Sequence, residues 1–154
     1  MSIEFQLRPY QPHDFDAVTI LWRVAREISL PEFQLEKGHF FYEDRNYFRS
    51  TILKNAQIWV AASPDYPVGF MAMNEDFVDQ LYIHPRAQRQ GVGVALLTLA
   101  KELSPQHVWL YTLQVNTNAR AFYEKNGFKA EKFGISPPPE SEPDIEYHWR
   151  PTHA

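Results

Sequence analysis

Residues 3–8, IEFQLR, alternate apolar and polar, the period of a half-buried strand. Pro9 and Pro12 interrupt the pattern, and Asp14 is suited to cap a helix. Phe15, Val18, Leu21, Trp22, Ala25 and Ile28 then recur three and four residues apart, which predicts an amphipathic helix. PEFQLEKGHFF (31–41) reads as a loop or broken helix, and a second helix is expected over 43–54. QIWVAA (57–62) and VGFMAMN (68–74) read as strands joined by the turn formers SPDYP. FVDQLYI (77–83) is a third strand, with polar residues inside it.

Residues 91–103 predict a helix with Leu96, Leu99, Ala100 and Leu103 as its buried stripe, and Val94, Leu97 and Lys101 on other faces. HVWLYTLQV (107–115) is nearly all apolar, as in a strand buried on both faces. A short helix over 118–126 ends at Gly127, a residue that favours the left-handed position after a helix. KAEKFGIS (129–136) and DIEYHWR (144–150) are closing strands, with PPPESEP between them as a stiff extended or turn segment. Strands alternating with helices in the second half predict a mixed α/β sheet with a strand–helix–strand crossover. No internal repeat or boundary is visible, so residues 1–154 are expected to form one domain.

Composition narrows the classes. With 44% hydrophobic and 15% aromatic residues the chain can fill a core, which argues against disorder. A net charge of −4 does not suit a general nucleic-acid binder. The absence of cysteine excludes disulfides, thiolate metal sites and a cysteine nucleophile. Histidines at 13, 39, 84, 107, 148 and 153 show no metal-binding spacing, so no metal is expected. The start lacks a signal-type apolar core, and GVGVALLTLA is about half the ~20 residues of a membrane helix. A soluble cytoplasmic protein without membrane or nucleic-acid partners is expected.

The segment QRQGVG (88–93) places glycines between a strand and a helix, where glycine costs about 1 kcal/mol relative to alanine. The free amides and positive partial charge of a helix start, with bare backbone and Arg86 and Arg89 nearby, suit a phosphate or pyrophosphate. Close packing alone would also call for glycine. The segment lacks the Gly-Lys-Ser/Thr of a P-loop, and Leu96 stands where a dinucleotide fingerprint needs its third glycine.

LYIHPRAQRQGVGVALL resembles motif A of the GNAT superfamily, the acetyl-CoA-dependent N-acetyltransferases. Its pattern [QR]-x-x-G-x-[GA] is met by Gln88, Gly91 and Gly93, and Leu81, Ile83 and Pro85 match the preceding strand. NTNARAFYEKNGF resembles the family's second signature through Asn116, Ala119, Tyr123, Gly127 and Phe128. The likeness covers roughly 57–134. It implies a central, mostly antiparallel twisted sheet with helices on both faces and a β-α-β crossover that binds the cofactor.

The resemblance implies that the amides of Arg89, Gln90, Gly91, Val92, Gly93 and Val94, with Gln88, hold the pyrophosphate of coenzyme A. The backbone of Leu81, Tyr82 and Ile83, on a bulged strand, would pair with pantetheine, and Asn116 would contact it. Tyr123 matches the general acid, and a phenol near pKa ~10 can exchange a proton with a thiol near ~8.5. The amide of Leu81 could stabilise the oxyanion. Asp79 is the candidate base, placed on Leu81's face by strand alternation, or else an ordinary salt-bridge partner. Gln80 and Gln114 could orient substrate or water.

The aromatic residues Phe33, Phe40, Phe41, Tyr42, Tyr47 and Phe48 could wall an acceptor pocket, although core packing accounts for most of them. Glu43, Asp44, Asp144 and Glu146 could attract a cationic acceptor. The function expected is transfer of acetyl from acetyl-CoA to a primary amine of a small molecule or peptide, by direct attack in a ternary complex. The alternatives are an acyl-CoA-binding sensor without catalysis and an interaction domain that has lost the cofactor. A homodimer is compatible with the resemblance.

Overall fold

A computed structural model describes residues 3–29, 40–138 and 140–152. The first strand, β1 (Gln6–Pro9), is shorter than the alternation predicts, because Ile3 and Phe5 pack on the core outside the ladder. Asp14 does not cap the helix start. It ends a 3-10 turn, Pro12–Asp14, and accepts from the Gln11 amide at 2.8 Å. Its two oxygens take both Nη groups of Arg8 at 2.7 and 2.8 Å, which ties β1 to the first helix.

Helix α1 (Phe15–Ser29) buries Val18, Leu21, Trp22 and Ala25, the stripe its spacing predicts. The side chain of Ile28 and residues 31–39, which include Phe33 and His39, lie outside the described residues. Helix α2 (Phe41–Tyr47) runs on through a π-helical turn, Phe48–Ile52, to a last turn, Leu53–Asn55. Strands β2 (Gln57–Ala62), β3 (Pro67–Asn74) and β4 (Phe77–Ile83) form an antiparallel meander. Helix α3 (Val92–Leu103) crosses to β5 (Val108–Leu113). Then come α4 (Thr117–Lys125), β6 (Lys129–Ile135) and β7 (Pro143–Trp149).

One seven-stranded sheet results, in the order β1-β2-β3-β4-β5-β7-β6. Every neighbouring pair is antiparallel except β4 and β5, which the α3 crossover makes parallel. Helices α3 and α4 cover one face over a core that includes Met71, Leu96, Leu97, Leu110, Phe128 and Tyr147. Helices α1 and α2 cover the other face at β2 and β3, over Leu21, Phe48, Ile58, Val60 and Phe70.

Three expectations change. The buried stripe of α3 is Val92, Leu96, Leu97 and Ala100, whereas Leu103 is exposed. The sheet covers one side of this helix and α4 approaches another, through Phe122 at Gly93, so two adjacent positions per turn are enclosed. Strand β5 is not buried on both faces: Val108 and Leu110 are in the core while Tyr111 is 49% exposed. Among the described residues no helix covers β5 and β7 on that second face. Of the described aromatic residues near α2, only Phe48 is fully buried, and Phe40, Tyr42 and Tyr47 are exposed. Between β6 and β7, Ser136 N donates to Glu142 O at 2.8 Å.

Candidate active site

Strands β4 and β5 pair at one position, Phe77 opposite Trp109, and diverge beyond it. The backbone of Leu81, Tyr82 and Ile83 therefore has no ladder on its β5 side. Strand β4 also carries a bulge. Met73 pairs with Val78 and Ala72 with Gln80, so Asp79 is the extra residue.

The bulge overturns the face expected for Asp79. Val78 and Leu81 both pack on the α3 core although they are three residues apart, and Tyr82 packs on the α1 side. Asp79 thus shares Tyr82's face, not Leu81's. Burial is the main cause that pushes the Tyr47 and Tyr82 phenols up, and the Asp79 charge adds to it. Asp79 itself is exposed, yet the protein mass around it raises its carboxyl, against a hydrogen bond from Gln80.

Past Ile83 the chain turns through Pro85–Ala87 into the glycine segment. Arg89 (φ 63°) and Gly91 (φ 87°) are both left-handed. Such turns aim successive amides into one concavity. None of the amides of residues 89–94 bonds to a described residue. The two glycines do different work. A Cβ on Gly91 would meet nothing within 4 Å, so its backbone angle is the requirement. A Cβ on Gly93 would sit 2.9 Å from Phe122 Cζ, so its requirement is the approach of α4. We expect Gly91→Ala to strain the turn and weaken coenzyme binding about tenfold. Gly93→Ala should instead displace the ring beside Tyr123 and lower turnover more than binding; calorimetry beside steady-state rates separates the two.

The side chains of this turn hold it together. Gln90 Oε1 accepts from Ile3 N at 2.7 Å, and Gln90 Nε2 donates to Arg86 O at 3.3 Å. Gln88 Nε2 reaches Ile83 O at 3.5 Å. Val92 is buried, so only its amide is available to a ligand, whereas Val94 is exposed.

Asn116 caps α4, its Oδ1 accepting from Ala119 N at 3.2 Å. Its amide Nδ2 has no partner among the described residues. Gln114 is occupied, donating to Asp144 O at 3.2 Å. Tyr123 is 8% exposed, in a cage of Phe122, Phe128 and Tyr147. Burial holds its phenol well above the ordinary value, with a smaller push from Tyr82. The neighbouring Tyr147 hydroxyl is spent on Glu124 at 2.6 Å, whereas that of Tyr123 bonds to no described residue. A split sheet edge, a ring of open amides and a buried phenol thus lie along one path.

Residues 54–130, half the chain, match the family model for an Acetyltransferase (GNAT) domain. The chain belongs to the GNAT superfamily. It is similar to the uncharacterized N-acetyltransferase YafP of Escherichia coli K12, 30% identical over 82% of this chain and 83% of YafP. It is also similar to the peptidyl-lysine N-acetyltransferase YiaC of the same organism, 34% identical over 79% of this chain and 82% of YiaC. The solution structure of apo YjaB from Escherichia coli shares the fold, with a TM-score of 0.80 and 24% identity over 96% of this chain and 98% of that one. This GNAT chain is therefore an acyltransferase of the N-acetyltransferase type, a family that uses acetyl-CoA. Among its described residues no helix is long and apolar enough to cross a membrane.

The acceptor side was only partly legible. Asp44 is buried and consumed by Arg23 and Arg26, and Glu43 bonds to Phe40 N at 3.0 Å. Asp144 and Glu146 share the second face of β5 and β7 with Tyr111, whose phenol is raised by burial and then by these two charges. Tyr111 and Glu146 stand opposite each other on β5 and β7, and the Tyr111 ring meets that of Phe77 on β4 with centroids 5.9 Å apart.

Proposed function

We propose that this GNAT protein moves the acetyl group of acetyl-CoA to the side-chain amine of a lysine in a peptide or protein, by direct attack in a ternary complex. The observation that carries the reading is the split at β4, bulged at Asp79 and ending on the open amides of residues 89–94. The likeness to a named peptidyl-lysine N-acetyltransferase supports a lysyl acceptor.

Each element has a task. The amides of Arg89 to Val94, flanked by Arg86, take the pyrophosphate. The free edge of Leu81, Tyr82 and Ile83 pairs with pantetheine, and the Asn116 Nδ2 amide contacts the same arm. The Leu81 amide steadies the oxyanion as the amine attacks. Tyr123 delivers a proton to the leaving sulfur. On the other face Asp79 and Glu146 draw the ammonium between them, beside the aromatic face of Tyr111. Asp79, the base expected from the sequence, and Glu146 are both candidates to take its proton.

The test is calorimetry with acetyl-CoA, followed by thiol release with lysine-containing peptides. Micromolar binding and peptide-dependent release establish the reading; tight binding with no release from any amine points to a sensor.

The Asp79 carboxyl gives an independent check. Its folded pKa lies above the unfolded value, so the stability tied to its protonation is present in acid and lost as pH rises through the folded pKa. At neutral pH the charge is a cost of folding. Asp79→Asn should therefore raise the melting temperature at neutral pH, lose that advantage in acid, and raise KM for the peptide. A lower melting temperature at neutral pH would show that Asp79 serves the fold instead.

A further inference from the structure

Four ionisable side chains at the second face of β5 and β7 meet end to end. His107 Nδ1 is 2.8 Å from Asp76 Oδ2, His107 Nε2 is 2.7 Å from His148 Nδ1, and His148 Nε2 is 2.8 Å from Glu146 Oε1. Trp109 fixes the line at both ends of its ring. Its Nε1 donates to Asp76 Oδ1 at 3.2 Å, and its plane lies 8° from that of His148. These donors and acceptors face one another in sequence rather than converging on a common point.

The line has a direction. The Glu146 and His148 side chains are 20% and 12% exposed, His107 is 26% and Asp76 is 42%. Glu146 stands opposite Tyr111 of β5, and its Oε2 has no partner among the described residues. Asp76 lies at the surface turn before β4. Hydrogen bonds of this length need one proton each. Two neutral imidazoles supply two of the three. The third place is where a proton from outside joins the line.

The geometry points to a proton relay: Glu146 takes the ammonium proton of the acceptor lysine, and His148, His107 and Asp76 carry it to solvent. The inference rests on the lysine-acetylating reading above. The N–H bond of the ammonium breaks and an O–H bond forms on Glu146. Glu146 gives a proton to His148 Nε2 as His148 Nδ1 gives one to His107 Nε2. His107 Nδ1 gives one to Asp76, which sheds it to water. One proton enters and one leaves for each amine, and rotation of the rings resets their tautomers. Of the two carboxylates that flank the acceptor, Glu146 has this onward path. Asp79 has Gln80 beside it and acts on the ammonium as a charge.

Asp76 suits the exit. Burial pushes its carboxyl up, but the hydrogen bonds from His107 and Trp109 outweigh that and leave it below the usual range. The other charges that face the line are Glu131, paired with Arg150 at 2.7 Å, Lys129 and Lys132 opposite His148 and Glu146 on β6, and Asp144.

His148→Gln and His107→Gln test the relay, because an amide keeps a hydrogen bond and passes no proton along. Each variant should lower kcat about tenfold at neutral pH, with the deficit closing as pH rises and free amine becomes abundant. Added imidazole buffer should restore part of the rate, and acetyl-CoA affinity should not change. The double variant should be no slower than either single one, since a line broken once is broken. A loss equal at every pH and untouched by buffer, or no loss at all, overturns the relay and leaves the lysine reading standing. Wild-type protein that acetylates no lysyl peptide overturns that reading, and the relay falls with it.

Discussion

Tyr123→Phe is expected to lower kcat by about a hundredfold or more while leaving the acetyl-CoA dissociation constant unchanged. A hundredfold is about 2.7 kcal/mol of transition-state stabilisation. The substitution removes one oxygen from a ring that Phe122, Phe128 and Tyr147 enclose. That oxygen bonds to no described residue, so its loss leaves no stranded partner and the fold should be intact. The pH dependence sharpens the test. Because burial holds the Tyr123 proton above its ordinary value, the phenol stays protonated throughout the range where the amine gains its free form. Wild-type kcat/KM should rise with pH and show no falling limb from Tyr123. A falling limb near the ordinary phenol pKa, lost in the Phe variant, would mean that bound coenzyme opens the cage. An unchanged kcat would remove Tyr123 from the chemistry.

The raised phenol also alters the energetic picture that the sequence suggests. From residue types alone, phenol and thiol are near enough in pKa for easy exchange. In the structure the phenol keeps its proton more firmly, so full transfer to a thiolate is uphill. In the function proposed above, Tyr123 would then act first as a hydrogen-bond donor to the developing charge on sulfur, its proton following as the site hydrates.

What was legible in the chain was what spacing encodes. The strand–turn–helix order around Gln88, Gly91 and Gly93 is seen as expected, and so is the N-terminal position of Asn116 relative to the helix that carries Tyr123. Two kinds of feature were not legible. One is phase: the family resemblance implies a bulged strand, but no residue type marks Asp79 as the extra residue that flips the alternation. The other is burial by neighbours. The apolar run of β5 looks doubly buried, but whether its second face is covered depends on where α1 and α2 stop, and Tyr111 is left exposed there. The line from Asp76 to Glu146 combines both problems. His107 and His148 are far apart in sequence, and pairing of β5 with β7 alone brings them to 2.7 Å.

Asp44→Ala should be the most damaging substitution to stability, at about 3–5 kcal/mol. Asp44 is 3% exposed on α2 and accepts from Arg23 Nη1 of α1 at 2.8 Å. Arg26 Nη2 lies 2.6 Å from the same oxygen without hydrogen-bond geometry, an ionic contact, and Arg26 Nε donates to Trp22 O at 3.4 Å. The Arg26 guanidinium is also stacked 3.9 Å above the Trp22 ring. Removing the carboxylate leaves two guanidiniums close together with no anion between them. Arg23 keeps Glu27 at 2.7 Å, whereas Arg26, 16% exposed, has little water to turn to. A loss of this size is a large part of the 5–15 kcal/mol that holds a typical domain, and should lower the melting temperature by roughly 10 °C. Asp44→Asn, which restores an acceptor without the charge, should fall between. Urea unfolding measures both, and a loss below about 1 kcal/mol would show that the guanidiniums rehydrate freely. The functional consequence is directional. Helix α2 carries Tyr47, whose phenol senses Asp79, so the variant should raise KM for the peptide before it touches acetyl-CoA binding, which the far side of β4 and the glycine turn provide.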